Sequence, residues 1–453
     1  MTLSAPMPEA GTARLVRHWR ALWPLAWPVV LSRAGIVVMG MAGVVFSGRY
    51  GTDALAAFSI GNAIAMPLMV AGFGCVVGVV ALAAREYGAA SPDLPAVALR
   101  GLAWSAAVGL VAGVLTLAAG PVLRLIGQSP ELVAGGTAVA WMSAPGVFAQ
   151  IVFAAASFYL EGTARPQPGL VAMAIATVLC IALTWLLVGG HLGFPELGAA
   201  GAALAATIAR LLMAAGLVLW MLRLPEFAGH LPDHGVWGPG GWPAGAEMRR
   251  IGMAGGAAYF FETVAFASLA QAAGLLGATA LAAYTILHNV ETTVFMIGLG
   301  ISVATAVRVG HAAGAGERAE ARTAGIAGIS AATLLAALTG LALVAFAPTV
   351  VGFYSDDPGL VARAAPLLAI LAISMVFDAG QVVLGQSNRA LGDSWGTTLC
   401  FFLAFWCVMI PLALVLAFHA GLAEAGLFLG TAAGCVAAVA FLGLRFRHLL
   451  ARI

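Results

Sequence analysis

Residues 251–307 read IGMAGGAAYFFETVAFASLAQAAGLLGATALAAYTILHNVETTVFMIGLGISVATAV, and across these 57 positions only Glu262 and Glu291 are charged. The hydrocarbon layer takes roughly 20 apolar residues per helical crossing, so this stretch is two crossings joined by a short turn. Its long runs of Ala, Leu and Gly lack the strict alternation of a barrel strand, and helices are the remaining way to satisfy a backbone in lipid. Outward from this stretch, the whole chain of 453 residues is 62% hydrophobic and 9% charged, too apolar for one soluble core. Further spans are predicted near 23–46, 54–82, 98–120, 132–160, 168–190, 196–222, 324–348, 361–386, 396–419 and 424–444, making twelve with 250–275 and 280–306.

The net charge of +2 conceals an ordered arrangement, because all 21 basic residues are Arg and none is Lys. Twelve spans put both termini on one side. That side holds sixteen arginines, among them Arg14, Arg17, Arg20, Arg85, Arg249, Arg250, Arg308, Arg389 and Arg445, against only Arg49, Arg124 and Arg363 opposite. Under the positive-inside rule this places both termini in the cytoplasm, which predicts a multi-pass protein of a bacterial cytoplasmic (inner) membrane. The basic amino-terminal stretch precedes an apolar run longer than a signal peptide, so it is read as the first span. Cys75, Cys180, Cys400, Cys407 and Cys435 all fall inside apolar spans without metal-ligand spacing and read as small buried hydrophobes.

The chain repeats itself. Gly48 to Ile60 (GRYGTDALAAFSI) aligns with Gly274 to Ile286 (GLLGATALAAYTI) at a shift of 226, with seven of thirteen positions identical. At a shift of 228, His191, Gly193, Glu196 and Gly198 recur as His419, Gly421, Glu424 and Gly426, and Pro130 as Pro358. Six spans is an even number, so the copies enter the membrane in the same orientation, as a parallel repeat. Transporters built this way hold substrate between the halves and rock one against the other. The expected organisation is an amino-terminal lobe over 1–222, a cytoplasmic linker over 223–249 that is rich in Pro and Gly, and a carboxy-terminal lobe over 250–453.

Ionisable groups deep in a membrane cost several kcal/mol and usually face a cavity with a task. Glu262 lies about 18 Å beyond Arg250, and Asp378 about 16 Å before Arg389, at 1.5 Å per helical residue. The two acids are therefore expected at similar depth in one lobe, where a shared, poorly hydrated site would couple a cation to a conformational change. Ser374, Asp378, Gln381 and Gly385 follow helical spacing and predict a polar stripe on the tenth span. The alternative for both acids is structural hydrogen bonding between helices.

Several strings together resemble the multidrug and toxic compound extrusion (MATE) family in its NorM-like bacterial branch: the Gly-x-x-Gly…Leu-Ala-Ala signature after the first and seventh spans, Phe260 to Phe266, Val303 to His311, and Phe377 to Val383. The resemblance covers nearly the whole chain. It implies a MATE-like, all-α membrane fold of twelve helices in two lobes, and export of small amphiphilic, cationic organic molecules in exchange for Na⁺ or H⁺. Departures from the family pattern fall in the amino-terminal lobe. Gly43 stands where relatives often carry Asp, and Thr184 where an Asn is common; Ile36 aligns with Glu262 and Gln150 with Asp378. Coupling is therefore expected in the carboxy-terminal lobe alone.

Glu262 and Asp378 are thus the expected coupling acids and the one place for a Na⁺ ion. Tyr259, Phe266, Tyr284, Phe295, Glu291, Gln381, Gln150 and Arg33 are candidates for the substrate cavity. Arg33 reads equally as an anion contact, a partner of an acid, or a snorkelling residue, and Glu291 as a cavity rim or an ion ligand. Arg210 and the aromatic residues read more simply as packing. No resident cofactor, no structural metal and no nucleic-acid partner are expected beyond the coupling ion and the bilayer, and the chain is expected to be a monomer. A lipid-linked oligosaccharide flippase would want a basic cavity, at which only Arg33 and Arg210 hint. A polytopic enzyme would need a paired acid motif, metal spacing or a P-loop, none of which is in the sequence, and a fixed channel is less favoured by the two-lobe repeat.

Overall fold

In the computed structural model, residues 11–227, 241–354 and 357–452 are described. Twelve helices are long and apolar enough to cross a membrane. In the first half these are α1 (Val16–Tyr50), α2 (Thr52–Gly88), α3 (Leu94–Leu117), α4 (Pro130–Gly162), α5 (Gln167–Val188) and α6 (Gly198–Leu222). The second half holds α7 (Pro243–Leu275), α8 (Thr279–Gly314), α9 (Arg318–Ala345), α10 (Leu367–Ala390), α11 (Trp395–His419) and α12 (Ala423–Leu450). All twelve predicted spans are present, mostly with longer ends than hydropathy marks, and no strand occurs among the described residues. The centre of the predicted linker, with Pro232 and Pro239, falls in residues 228–240, outside the described residues.

Local sequence explains the boundaries. The repeated glycine signature is a turn: Gly277, at φ 115°, joins α7 to α8 in a conformation that side chains resist, and Gly51 takes the same place before α2. Pro130 opens α4 behind Ser129, whose hydroxyl accepts from the Leu132 amide.

Each lobe is wrapped around one central helix. In the first, α4 packs against α2, α3 and α6; in the second, α10 packs against α8, α9 and α12. These two carry the largest buried share of any span. The lobes meet where α2 lies on α7 and α1 on α8, with the end of α2 against α8. Small residues make that seam possible. A side chain at Gly78 would strike the backbone of Met248, and one at Gly252 would strike the carbonyl of Cys75. The buried clusters also cross over: Met248, Ile251 and Val307 belong to the core of the first lobe, while Leu22 and Ala26 pack with Ile301, Ala327 and Ala332 of the second.

Polar bonds across the seam lie on the arginine-rich side. Arg85 reaches Glu247 at 2.5 Å, and His311 Nε2 lies 2.7 Å from the carbonyl of Gly162. His18 sits between Glu320 and Arg308, each at 2.8 Å. Since a guanidinium only donates, Nδ1 of His18 accepts from Arg308 and Nε2 donates to Glu320. These bonds tie the two lobes together on the arginine-rich side.

A second anchor ties α12 to the turn after α10, where Asp393 accepts from Arg445 at 2.7 and 3.1 Å and from Thr397 at 2.8 Å. Burial alone would raise the Asp393 carboxyl, but these bonds outweigh it and hold it below the ordinary carboxylate range. A carboxyl held low adds stability that is complete above its unfolded value near pH 4 and is lost as pH falls through the folded value. Asp393→Asn is therefore expected to lower the Tm of the purified protein at pH 7, with the difference from wild type closing as pH falls below the ordinary carboxylate range. At the seam, Gly252→Val is expected to cost about 1–3 kcal/mol through overpacking. An unchanged Tm in that variant would mean the helices do not approach there.

Candidate functional site

Asp378 is buried on α10 and accepts a hydrogen bond of 2.7 Å from Gln381 Nε2, one turn along the same helix. The expected polar stripe is real but faces inward, since Ser374 and Gln381 are fully buried and Gly385 lies under the Phe401 ring. Asp378 lines a cavity of about 20 Å³, room for one water. The other acid on that cavity is Glu291 of α8, and Phe295, Thr339 and Met375 complete much of its wall. Glu291 is 6% exposed, and its Oε1 has no hydrogen-bond partner.

Glu262 does not join them. It is half-buried on α7 and outside the cavity wall, beside the Arg389 guanidinium, with Asp378 within electrostatic reach. Glu291 is the stronger acidic neighbour of Asp378 and Glu262 the weaker. Equal depth, read from the sequence, does not fix direction around the helix axis. α8 runs along α10 and turns Glu291 to Asp378, whereas α7 is committed to the seam with α2.

The aromatic candidates divide. Tyr259 lies at the seam against Gly74, accepts from Gln386 Nε2 at 3.2 Å, and carries Arg389 over its ring at 5.8 Å. Phe266 and Tyr284 pack on the His288 ring at centroid distances of 5.6 and 5.8 Å, and Tyr284 also stacks on Phe428. They clothe the histidine rather than an open wall. His288 is 40% exposed, with Nδ1 at 3.5 Å from Glu291 Oε2. Thr285, Asn289, Thr292 and Thr293 are also exposed on α8 and bond back to their own helix, so this span carries a polar face at membrane depth. Such a face belongs against water rather than lipid.

In the first lobe, Arg33 is 5% exposed and donates to Glu161 at 3.1 and 3.3 Å, while Ser157 donates to Glu161 at 2.8 Å. The Phe73 and Phe158 rings flank the guanidinium at 5.5 and 5.1 Å. Of the three readings of Arg33, pairing with an acid is the one realised. Gln150 is fully buried with neither amide atom bonded, and Arg210 finds no acid among the described residues. The five cysteines are free thiols.

The MatE family model matches residues 28–186 and 256–415, two copies that begin 228 residues apart. The chain belongs to the MatE family. Along 99% of its length it is 36% identical to a protein of Caulobacter vibrioides named "Probable multidrug resistance protein NorM", covering 98% of that relative. A protein of the same name from Bradyrhizobium diazoefficiens is 31% identical over 95% of this chain and 93% of its own. The fold matches a multidrug resistance MATE transporter solved in an outward-facing conformation, with a TM-score of 0.87 at 20% identity, over 97% of this chain and 98% of that one. The MATE resemblance of the sequence motifs thus holds over the full length, and the protein is a NorM-type membrane transporter.

Three residues of interest escaped the sequence reading. Glu161 lies one residue past the predicted end of its span, Arg389 passed as one more arginine of the basic side although it is 3% exposed, and His288 was not weighed. The helical spacing of Thr285, His288, Asn289 and Thr292 was the available signal for the last. The repeat relates the others, since its shifts set Arg33 opposite Tyr259 and Glu161 opposite Arg389. Removing one member of the buried pair strands the other, so Arg33→Ala is expected to destabilise the protein by about 3–5 kcal/mol, while Arg33→Met with Glu161→Leu stays close to wild type. Thermal unfolding of the three purified proteins decides this, and a single variant as stable as wild type would refute the pairing.

Proposed function

We propose that this MATE protein exports small amphiphilic, cationic organic compounds across the bacterial cytoplasmic membrane, with both termini inside. It does so as a monomer by alternating access, driven by inward flow of Na⁺ or H⁺. The observation that carries the reading is the pair Glu291 and Asp378: two carboxylates on one small, apolar cavity with no arginine between them. Two charges in such a site repel, so the pair has a different energy with and without a bound cation, and that difference can bias the packing of α8 against α10. Glu262, beside Arg389 and the Tyr259 seam, is the acid placed to report that change to the other lobe.

Closure on the arginine-rich side, together with the polar face of α8, supports a state whose substrate cleft faces outward. The named activity of the relatives, multidrug resistance, supports export of drugs. The flippase reading loses its main support, because the charge of Arg33 is matched by Glu161.

The test is dye efflux from vesicles holding purified protein under an imposed Na⁺ or proton gradient. Asp378→Asn and Glu291→Gln are each expected to cut gradient-driven efflux by about tenfold or more, the scale of a coupling free energy of 1–3 kcal/mol. Glu262→Gln is expected to slow efflux less than either. Wild-type rates in both Asp378→Asn and Glu291→Gln would remove the coupling assignment.

A further inference from the structure

His288 is the feature that the coupling reading does not use. It stands on α8 one turn from Glu291, toward the arginine-poor end, with its ring packed against Phe266 and Tyr284. Its Nδ1 is buried, has no hydrogen-bond partner, and lies 3.5 Å from Glu291 Oε2. The rest of the ring is open, in the same exposed strip as Thr285, Asn289 and Thr292. Beyond it, the unpartnered Oε1 of Glu291, which is 94% buried, and the carboxylate of Asp378 share a cavity with room for one water. A partly exposed titratable ring, a buried acid, a water-sized gap and a second buried acid therefore follow one another inward.

We propose that His288, Glu291 and Asp378 form a proton relay from the outer cleft into the second lobe, so that the coupling ion is a proton. This rests on the exporter reading and names its ion. In the first step the His288 ring, neutral with its proton on Nδ1, takes a proton from outside water on Nε2. The imidazolium then gives its Nδ1 proton to Glu291 Oε2 and is left neutral with a proton on Nε2; turning about Cβ–Cγ to bring Nδ1 to water, the ring takes a proton there, gives its Nε2 proton to water and turns back in its starting form. Glu291, now a neutral acid, passes a proton to Asp378 through one water in the cavity, giving up one proton as Asp378 gains one.

The donor set argues against Na⁺ in the same place. Of the residues on the cavity wall, only Glu291, Asp378 and Thr339 have side-chain oxygens, and the remainder are apolar or glycine. A hard cation that leaves water needs on the order of six oxygen ligands. Gln381 turns an N–H, not its oxygen, toward Asp378. The groups facing the relay are Glu291 and His288 from α8, Cys435 and Ser374 beside Asp378, and Glu262 from α7. From α9 come Thr339 and three apolar residues, and from α11 the Phe405 ring against Phe266.

The experiment uses the full chain in vesicles with ethidium as the transported dye, under a pH gradient without Na⁺ or a Na⁺ gradient with pH clamped. The pH gradient is expected to drive efflux and the Na⁺ gradient not to. His288→Gln is expected to slow proton-driven efflux by on the order of 10- to 100-fold and to flatten its dependence on outside pH, and His288→Ala to regain rate when imidazole is added outside. His288→Phe, which keeps the ring stack, is expected to stay slow. Wild-type rates and pH profile in His288→Gln, or a slow His288→Ala that imidazole does not restore, would overturn the relay. Efflux driven by Na⁺ at clamped pH would overturn the choice of ion while leaving the exporter reading in place. Efflux under neither gradient would overturn the exporter reading itself.

Discussion

Everything in this molecule answers to the cost of charge inside hydrocarbon. The chain keeps most of its arginines on one side, and the few charged groups that remain at depth are met in different ways. Arg33 and Glu161 cancel one another's charge, backed by Ser157 and two phenyl rings. Arg389 is spread over the Tyr259 and Phe401 rings and within reach of Glu262. Glu291 and Asp378 are set beside like charge on one small cavity, with Glu262 a weaker third acid. A pair arranged at a cost to folding, next to the most heavily packed helix of its lobe, is where one expects an occupant whose arrival changes the packing.

Duplication supplied the frame in which these solutions differ. The two lobes share a central helix, the same neighbours around it and the same glycine turn, yet the repeat exchanges charge across the axis. Arg33 corresponds to Tyr259, Glu161 to Arg389, and the fully buried Gln150 to Asp378. In the first copy the buried Arg33 is matched by Glu161, whereas in the second Asp378 and Glu291 share one cavity.

The fold was legible because the signals that define it are one-dimensional. Span length, arginine sidedness and the repeat at 226 to 228 residues survive any error in side-chain direction, and all twelve helices followed. The site was half legible for the same reason. Counting residues from Arg250 and Arg389 places Glu262 and Asp378 at matching depth, but partnership also needs the angle around each axis, and that is set by which helix packs on which. Glu291 is displaced along the sequence and on a different helix, yet it is the acid that shares the Asp378 cavity. Glu161 was hidden by a boundary placed one residue short, and Arg389 by a charge rule that is correct for the loop around it and silent about a side chain folded inward.

The seam sets what any movement of one lobe against the other has to break. Part of it is backbone against backbone at Gly78 and Gly252, a contact that fits in one register. Its polar clasps lie at the edge, where Arg85 and Glu247 are 32% and 50% exposed and Arg17 and Glu320 are 53% and 28% exposed. Exposed pairs of this kind contribute roughly 0–1 kcal/mol each. The exposed clasps therefore add little, and the apolar contacts that cross the seam, Met248, Ile251 and Val307 in the first lobe's core and Leu22 and Ala26 against Ile301, Ala327 and Ala332, carry most of what holds the lobes together. Any rocking of one lobe on the other has to exchange these contacts along with the clasps.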